Sequence, residues 1–372
     1  MHQGVKDFIR WLEDHRDHEG VNLNSPATSA ELAVMEQQVG APLPADLRFV
    51  LTRFNGGTIP AGTMLPAGIG PGTIDDAMRS FAGQVDADFL DPELPMPFHR
   101  TLEGSLLCFD RSAGPVADTW PIVDFYEDTG DMRLVYRTLD GWCRTCVLDW
   151  RAPDADEPFS LHKYLSQGLR HVEVEPDVST AHATVAHALR RAGEPEQALE
   201  SYLRAARCVP PLHWCDWEAL KLAALLDRQR EGLEAATRLA ARAPAERWAD
   251  RETTPAQVAY ALARLARAAT DRDPWIRLLD QLVEQAVGDE ERSQAHAVRR
   301  ALVHGGPLPA PCPPREVPAV APQGDLALWW KEARRAYSEG ALRDDDLLLD
   351  ARLEPLAEAQ DLTDLLRIRR EF

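Results

Sequence analysis

The sequence has few cysteines and no long hydrophobic run. Its six cysteines, spread over 372 residues, are too few for a disulfide framework. No window approaches the roughly 18 uninterrupted apolar residues of a membrane span. The charged N-terminus, MHQGVKDFIRWLEDHRDHEG, also lacks an apolar signal stretch. These absences predict a cytoplasmic protein with no membrane partner, while 45% hydrophobic residues are enough to build buried cores.

Basic residues are also scarce. Lys and Arg total 41 against 60 Asp and Glu, for a net charge of −19. This argues against a nucleic-acid partner, because phosphate binding needs a basic face. Thirteen acidic residues and only three arginines lie within 75–131, which favours a basic protein partner; ordinary solubilising charge is the alternative. The candidate contact residues are Asp118, Asp124, Glu127, Asp128 and Asp131.

Cys143 and Cys146 are the only close cysteine pair and therefore test for a metal or redox site. The surrounding residues 134–136 and 142–150 look like strands, in which positions i and i+3 point to opposite faces. A zinc site would also need a second pair of ligands. We therefore expect a structural role for both cysteines, with no metal and no cofactor.

Residues 1–172 mix helix and strand signals. Thr28 and Glu31 have capping-box spacing and Gly40 ends the same helix, while Gly and Pro in 57–97 predict loops around a short helix. Together the elements predict an α+β domain with a mostly antiparallel sheet and flanking helices. The predicted helices are 5–14, the one ending at Gly40, 43–54, 74–81 and 160–169, and the predicted strands are 105–109, 122–126, 132–137 and 143–148.

The stretch LPADLRFVLTRFNGG, residues 43–57, is an amphipathic helix that stops abruptly at Asn-Gly-Gly. Pro44 suits the first helical turn, where its missing N–H costs nothing. Asn55 tolerates left-handed backbone, and Gly56 and Gly57 permit positive φ. We interpret this corner as a structural device that turns a buried helix towards the sheet.

Residues 178–304 change to an Ala-, Leu- and Arg-rich composition without strand signals. Small and aromatic residues fall at tetratricopeptide offsets, and Pro244 lies 34 residues after Pro210, which is the repeat length. We predict tetratricopeptide-like helical repeats, then a Pro-rich linker (305–324) and C-terminal helices (325–372) that either cap the repeats or fold back on the first domain. The repeat signature consists of Ala186, Leu189, Gly193, Ala198, Tyr202 and Pro210, and later helices are predicted at 255–269, 274–286 and 290–302.

The first helix of each repeat would line a concave face. His187, Arg190 and Lys221 fall on it and would suit an acidic peptide, with Trp217 as an apolar anchor. The alternative is that Trp217 belongs to the core.

No set of residues forms a recognisable catalytic site. The histidines and acids of 13–18 lie at an exposed helix end, and His182 and His187 are five residues apart instead of the four that suit a shared metal. The Gly-rich stretch 68–73 lacks the lysine of a phosphate-binding loop. Asp344, the first of three adjacent aspartates, is most simply a helix start. We therefore predict that the chain is not an enzyme.

The N-terminal motifs resemble the SUKH superfamily of Smi/Knr-type domains. In that family a helix ending in Gly leads to Leu-Pro and then to a helix ending in Asn-Gly. GSLLCFD, residues 104–110, is similar to the family's central strand, which ends in an aspartate, here Asp110. The resemblance covers about 5–170, and its matching residues are Glu31, Leu32, Glu36, Gly40, Leu43, Pro44, Asn55, Gly56 and Gly57.

The resemblance implies a binding function. Bacterial members are inferred to be immunity proteins that neutralise toxins, and fungal members act as interaction hubs in cell-wall regulation. The Ala/Arg-rich, Lys-poor composition looks bacterial. We therefore expect an immunity-type protein that binds a toxin, which the acidic stretch predicts to be basic, and a second protein or peptide at the repeats. A regulatory scaffold without a toxin is the main alternative, and a hydrolase with an unrecognised site is a weaker one.

Overall fold

The computed structural model describes residues 2–84, 95–112, 120–126, 131–241, 254–286, 288–309, 320 and 324–371. The chain divides into two compact units. The first contains Met1–Pro158 and Leu169–Ala181, and the second contains Phe159–Gly168 and His182–Phe372. Among the described residues, no helix combines the length and the apolar character needed to cross a bilayer.

The first unit is built on a seven-stranded antiparallel sheet whose strands follow one another in chain order. This confirms the predicted α+β class with an antiparallel sheet. The strands are β1 Asn22–Leu23, β2 Gly57–Ile59, β3 Gly62–Met64, β4 Pro95–Thr101, β5 Leu106–Asp110, β6 Ile122–Tyr126 and β7 Asp131–Tyr136. The helices preceding the second unit's array are α1 Gln3–Asp14, α2 Ser29–Val39, α3 Ala45–Leu51, α4 Ile74–Gln84, α5 Leu139–Arg151 and α6 Leu161–Val174.

Aromatic side chains hold the helices of the first unit to one face of the sheet. Phe8 of α1 lies 5.2 Å from Trp142 of α5, ring centre to ring centre, and Phe98 of β4 meets Trp142 edge-on at 5.3 Å. All three are buried. Because large aromatic rings contribute most to the apolar area removed from water, this cluster couples α1 and α5 to the strands.

The sequence-based assignment of 143–148 to a strand is wrong, because these residues lie in helix α5. Thr138 begins the helix by accepting a hydrogen bond from the Gly141 N–H, and the motif Leu-Asp-Gly is the first turn of the helix rather than a turn between strands. The buried residues of α5 include Leu139, Trp142, Cys143, Cys146 and Val147. This is the i, i+3, i+4, i+7, i+8 spacing of a helix with one apolar face, which outweighs the β-propensity of the individual residues.

The prediction of loops for 57–97 misses β2, β3 and the start of β4. These strands are short, and β4 contains two prolines and an irregular register between Pro97 and His99. Gly and Pro usually indicate turns, so the local signal opposed the strand assignment. The hydrogen bonds of β2 to β3, β3 to β4 and β4 to β5 make these segments strands.

The second unit is an array of helices, which confirms the all-α class predicted for the second part of the chain. Successive helices pack against each other, and the helix Trp214–Leu225 contacts the helices Pro195–Arg207, Gln229–Ala241 and Pro255–Arg267. Pro244, which defined the 34-residue spacing, and most of the linker 305–324 lie outside the described residues. The helices are α7 Ser179–Ala192, α8 Pro195–Arg207, α9 Trp214–Leu225, α10 Gln229–Ala241, α11 Pro255–Arg267, α12 Asp273–Gln285 and α13 Asp289–His304.

The C-terminal helices belong to the second unit. They are α14 Leu326–Ser338, α15 Asp344–Leu349, α16 Glu354–Ala359 and α17 Thr363–Leu366, with a 3-10 turn at Ala351–Leu353. Helix α15 contacts α9 and α11. The three adjacent aspartates begin α15, as their sequence position predicted.

Replacing Thr138 tests the helical assignment of α5. We expect Thr138→Ala to destabilise the first unit by about 1 kcal/mol, because the Gly141 N–H loses its acceptor at the helix N-terminus. Thr138→Ser keeps the hydroxyl and should restore most of the loss. Hydrogen exchange of the α5 amides measures the change, and equal exchange in Thr138→Ala and the wild type would contradict the capping role.

Candidate functional site

The corner of the first unit, residues 40–57, begins at the end of α2. Gly40 is the C-cap, in the left-handed conformation with φ 71°. Leu43 is buried, and its N–H donates to Glu36 Oε1 at 3.2 Å. Pro44 is the N-cap of α3, one residue before the first helical turn in which we expected it. These residues set the path between α2 and α3.

The Asn-Gly-Gly end of the corner ties α3 to the sheet. Gly56 and Gly57 have φ values of 73° and 124°, and a Cβ on Gly56 would lie 2.6 Å from the Met64 carbonyl oxygen. A Cβ on Gly57 would clash with the Asn22 carbonyl oxygen. Both positions therefore need glycine for conformation and for space. Helix α3 ends at Leu51, earlier than expected.

Asn55 acts differently from our expectation. Among the described residues, the only non-glycine residue with positive φ is Asp227, so Asn55 is not left-handed. Instead, its buried side chain pairs with one peptide unit: the Ala67 N–H donates to Asn55 Oδ1 at 2.7 Å, and Asn55 Nδ2 donates to the Ala67 carbonyl at 3.0 Å. The Asn55 side chain thus makes the two hydrogen bonds to Ala67, in the loop after β3, that a neighbouring strand would otherwise make.

We expect Asn55→Asp to destabilise the first unit by about 2–3 kcal/mol at pH 7, because a carboxylate cannot donate to the buried Ala67 carbonyl. The cost should shrink as the pH falls, since the protonated acid regains an O–H donor. Chemical denaturation at pH 7 and pH 5 measures both effects. The control is Asn24→Asp, an exposed neighbour whose Nδ2 donates to the Asn55 carbonyl at 2.8 Å. An Asn55→Asp cost no larger than that of the control would contradict the buried pairing.

The acidic candidates of the first unit are only partly described. Asp110 ends β5 and accepts from the Ser112 N–H at 2.9 Å. Asp124 is half-buried in β6, opposite Arg133 of β7. Asp131 begins β7, and Asp118, Glu127 and Asp128 lie outside the described residues. The docking role of this segment stays a prediction.

The two close cysteines lie on one side of α5, so the argument that they face opposite ways is wrong. Both are buried, and burial raises the pKa of each thiol far above its usual range. A buried neutral thiol is a poor nucleophile and a poor metal ligand. Within the described part of the chain, no three His, Cys, Asp or Glu residues come together as a potential metal site.

His99 of β4 is a buried titratable group that the sequence did not single out. It is 1% exposed, and its Nε2 lies 3.1 Å from the Ala61 carbonyl oxygen. Its ring centre is 5.2 Å from that of Trp142. Burial lowers the pKa of His99 to about 4, because the charged imidazolium would lose its hydration. The side chain is therefore neutral at pH 7 and serves the packing of the sheet.

This depressed pKa predicts a pH dependence of stability. Between about pH 6.5 and pH 4 the unfolded chain binds a proton at His99 and the folded chain does not, so stability falls as the pH is lowered through this range. The contribution is on the order of 3 kcal/mol. Denaturation of the wild type and His99→Gln across this range should give a shallower slope for the variant. His304→Gln, at an exposed histidine, is the control, and parallel slopes for His99→Gln and the wild type would contradict the prediction.

In the second unit, Arg190 is not an open contact residue. It is 3% exposed. Its Nε and Nη2 donate to the two carboxylate oxygens of Asp344, both at 2.6 Å, and its Nη1 donates to the Leu366 carbonyl at 2.8 Å. Burial alone would raise the pKa of Asp344, but the charges of Arg190, Arg370 and Lys221 outweigh it and hold the pKa below its usual value. The pair is therefore ionised.

Lys221 is likewise buried and occupied. Its Nζ lies 2.7 Å from Glu218 Oε1 and 2.8 Å from Asp345 Oδ1. Trp217 is buried, with Lys221 Nζ 5.5 Å from its ring centre. The core interpretation of Trp217 is therefore the better one, because the ring is not available as a surface anchor.

His187 is exposed on α7, with its ring 6.1 Å from that of Tyr164. Desolvation by neighbouring side chains, together with the charges of Arg191 and Arg370, lowers its pKa. Four residues were predicted to line the concave face of the repeats. The structure brings two of them, Arg190 and Lys221, to one acidic helix, α15, and places Lys221 over the ring of Trp217. Sequence reasoning identified the cations but missed their ligand, although the run Asp-Asp-Asp in a region otherwise rich in Arg was an available signal.

A known family model matches part of the first unit. The model of the SMI1 / KNR4 family (SUKH-1) matches residues 26–145, which confirms the resemblance for this segment. The match includes the corner at Asn55 and strands β2–β7, covers about a third of the chain, and does not extend into α7–α17. It supports a protein-binding role. No curated protein and no solved structure matches the chain significantly.

Proposed function

We propose that the chain is a non-catalytic, immunity-type protein of the bacterial cytoplasm that neutralises a toxin by binding it through the first unit. The observation that carries the proposal is the SUKH-1 match over 26–145. The resemblance implies immunity proteins among the bacterial members of this superfamily, and neutralisation by binding requires no catalytic group.

The chemistry of the first unit supports a binding role over catalysis. Its buried titratable groups take part in packing and hydrogen bonding: His99 contacts a carbonyl, Cys143 and Cys146 lie in the core, and Glu175 accepts from the Arg137 N–H at 3.2 Å. None of these pairs a nucleophile with a base.

The partner we expect is basic. The acidic stretch 75–131 would speed the association of a positively charged protein by long-range attraction. Two of its acids, Asp75 and Asp76, are already opposed by Arg79 at 2.8 Å and 4.0 Å. The charges that the proposal assigns to partner contact are those of the sequence candidates Asp118, Asp124, Glu127, Asp128 and Asp131.

Neutralising Asp118, Glu127 and Asp128 together should lower the association rate for the basic partner by about tenfold at low salt and flatten its salt dependence, because rim charges act mainly on association. Surface plasmon resonance across a salt series measures both quantities, using the full chain and the products of adjacent genes. The control neutralises Asp289, Glu290 and Glu291, three acids in the first turn of α13. Equal effects of the two triple variants would refute an acidic docking face.

A regulatory scaffold is the second candidate function. It is favoured by the helical array α7–α13 of the second unit, which lies outside the SUKH-1 match. A pull-down with the full chain distinguishes the two functions. Capture of a partner that is lost on neutralising Asp118, Glu127 and Asp128 supports immunity-type binding, whereas capture that survives this change supports the scaffold.

A further inference from the structure

Asn55 and Gly56 form the one Asn-Gly pair in the sequence, which contains three asparagines in all. In an Asn-Gly pair the glycine nitrogen can attack the side-chain carbonyl carbon of the asparagine, because glycine has no side chain to obstruct the approach. A bond forms between the glycine nitrogen and Cγ. The Cγ–Nδ2 bond breaks, and Nδ2 leaves as ammonia with the proton that the glycine nitrogen loses. Water then opens the resulting succinimide ring to an aspartate or an isoaspartate.

The folded corner holds the backbone polar groups of this pair in hydrogen bonds. The Asn55 N–H donates to the Ser25 carbonyl at 3.1 Å, and the Asn55 carbonyl accepts from Asn24 Nδ2 at 2.8 Å. The Gly56 N–H donates to the Phe54 carbonyl at 3.1 Å, and the Gly56 carbonyl accepts from the Asn24 N–H at 3.1 Å. These hydrogen bonds hold the main chain in place on both sides of the nitrogen that would react.

The Asn55 side chain is held away from this reaction by Ala67. Asn55 Nδ2, the atom that would leave as ammonia, donates to the Ala67 carbonyl at 3.0 Å, and Oδ1 accepts from the Ala67 N–H at 2.7 Å. Ring closure with the Gly56 nitrogen breaks this pairing, since Nδ2 departs and the side chain turns towards its own main chain. Asn55 is also only 8% exposed, which limits the water needed for ring opening. The reaction therefore requires the corner to open.

Neither product restores all the hydrogen bonds of the closed corner. An aspartate at position 55 is a carboxylate at pH 7 and has no hydrogen to donate to the buried Ala67 carbonyl, which is then left unsatisfied. An isoaspartate carries the main chain through its side-chain carbon, so the chain between positions 55 and 56 becomes longer. Gly56 has no room for such a shift, because even a Cβ there would lie 2.6 Å from the Met64 carbonyl oxygen.

We propose that Asn55 is a deamidation site that the closed corner protects, and that its conversion irreversibly destabilises the first unit. The hydrogen bonds of the corner slow the reaction in the folded chain, and each opening exposes Asn55 to attack by the Gly56 nitrogen. Refolding does not reverse the reaction, so converted chains accumulate at a rate set by the fraction of time for which the corner is open. The proposal needs no partner and does not depend on toxin binding.

Peptide mapping by mass spectrometry measures the reaction in the full chain, folded in buffer and unfolded in urea, at one mildly alkaline pH. Trypsin releases residues 54–79, in which Asn55 is the only asparagine. It also releases residues 17–48, which contain Asn22 and Asn24. In urea, Asn55 should convert faster than the other two, which are followed by larger residues than glycine. In the folded chain, Asn55 should convert at least about tenfold more slowly than in urea.

Asn24→Ala tests whether the hydrogen bonds of the corner give the protection. It removes the Nδ2 donor to the Asn55 carbonyl and leaves the reacting atoms unchanged. We expect conversion of Asn55 to be about fivefold faster in the folded variant, as for the loss of one hydrogen bond, and unchanged in urea. The matched control is Asn22→Ala, at an exposed asparagine in β1, which should leave the folded-state rate close to that of the wild type.

The effect of conversion on stability is measured on the same samples. Partly converted chains are brought to the urea concentration at which half of the unconverted chains are folded, and size-exclusion chromatography separates compact from expanded chains. Converted Asn55 should be enriched about tenfold in the expanded fraction, because the unsatisfied Ala67 carbonyl favours the unfolded chain. Conversion within residues 17–48 is the internal control and should be equally frequent in both fractions.

The proposal is overturned if Asn55 converts as fast in the folded chain as in urea. Equal folded-state rates for Asn24→Ala and Asn22→Ala also overturn it, because the hydrogen bonds of the corner then give no protection. So does an equal division of converted Asn55 between the compact and expanded fractions. Slow conversion in the folded chain, acceleration by Asn24→Ala alone and enrichment in the expanded fraction support the proposal.

Discussion

The second unit depends on one constraint, namely that a buried cation must be matched by a carboxylate from the same unit. Arg190 meets this constraint with a bidentate contact to Asp344, and the Tyr337 hydroxyl donates to the same carboxylate at 2.6 Å. Because both ions are desolvated, neither helix can move away without leaving a charge uncompensated. This pair joins the start of the helical array to the C-terminal segment, which are 154 residues apart in the chain.

The first unit is organised by a different device, the pairing of a side-chain amide with a peptide unit. Asn55, which follows α3, provides one hydrogen-bond donor and one acceptor to Ala67 in the loop after β3. The backbone N–H and carbonyl of Ala67 are therefore hydrogen-bonded although no strand lies beside them. The glycines that follow allow the backbone to approach Met64 closely. The motif that resembles SUKH proteins is therefore explained by the junction between helix and sheet, and it needs no direct contact with a partner.

The two units use charge in different ways. The first carries the SUKH-1 match and an acidic stretch suited to long-range attraction of a basic protein. In the second unit, buried ion pairs of Arg190 with Asp344 and of Lys221 with Asp345 fix the position of α15, because an unpaired buried charge is costly.

Local sequence patterns by themselves determined most of the helices, the strands β5 to β7 and the SUKH resemblance, because these depend on the spacing of residues. They also determined both ends of α2, at Thr28 and Gly40, because helix caps depend on side-chain hydrogen bonds and on the conformational freedom of Gly. The pattern was misread at α5, where Leu139, Trp142, Cys146 and their neighbours have helical spacing. Only the tertiary structure decided that the Pro-rich segment before Thr101 forms β4, since its partners β3 and β5 supply the hydrogen bonds. It also decided that Arg190 and Lys221 bind Asp344 and Asp345, because pairing across more than a hundred residues depends on how the helices pack and leaves no periodic signal in the chain.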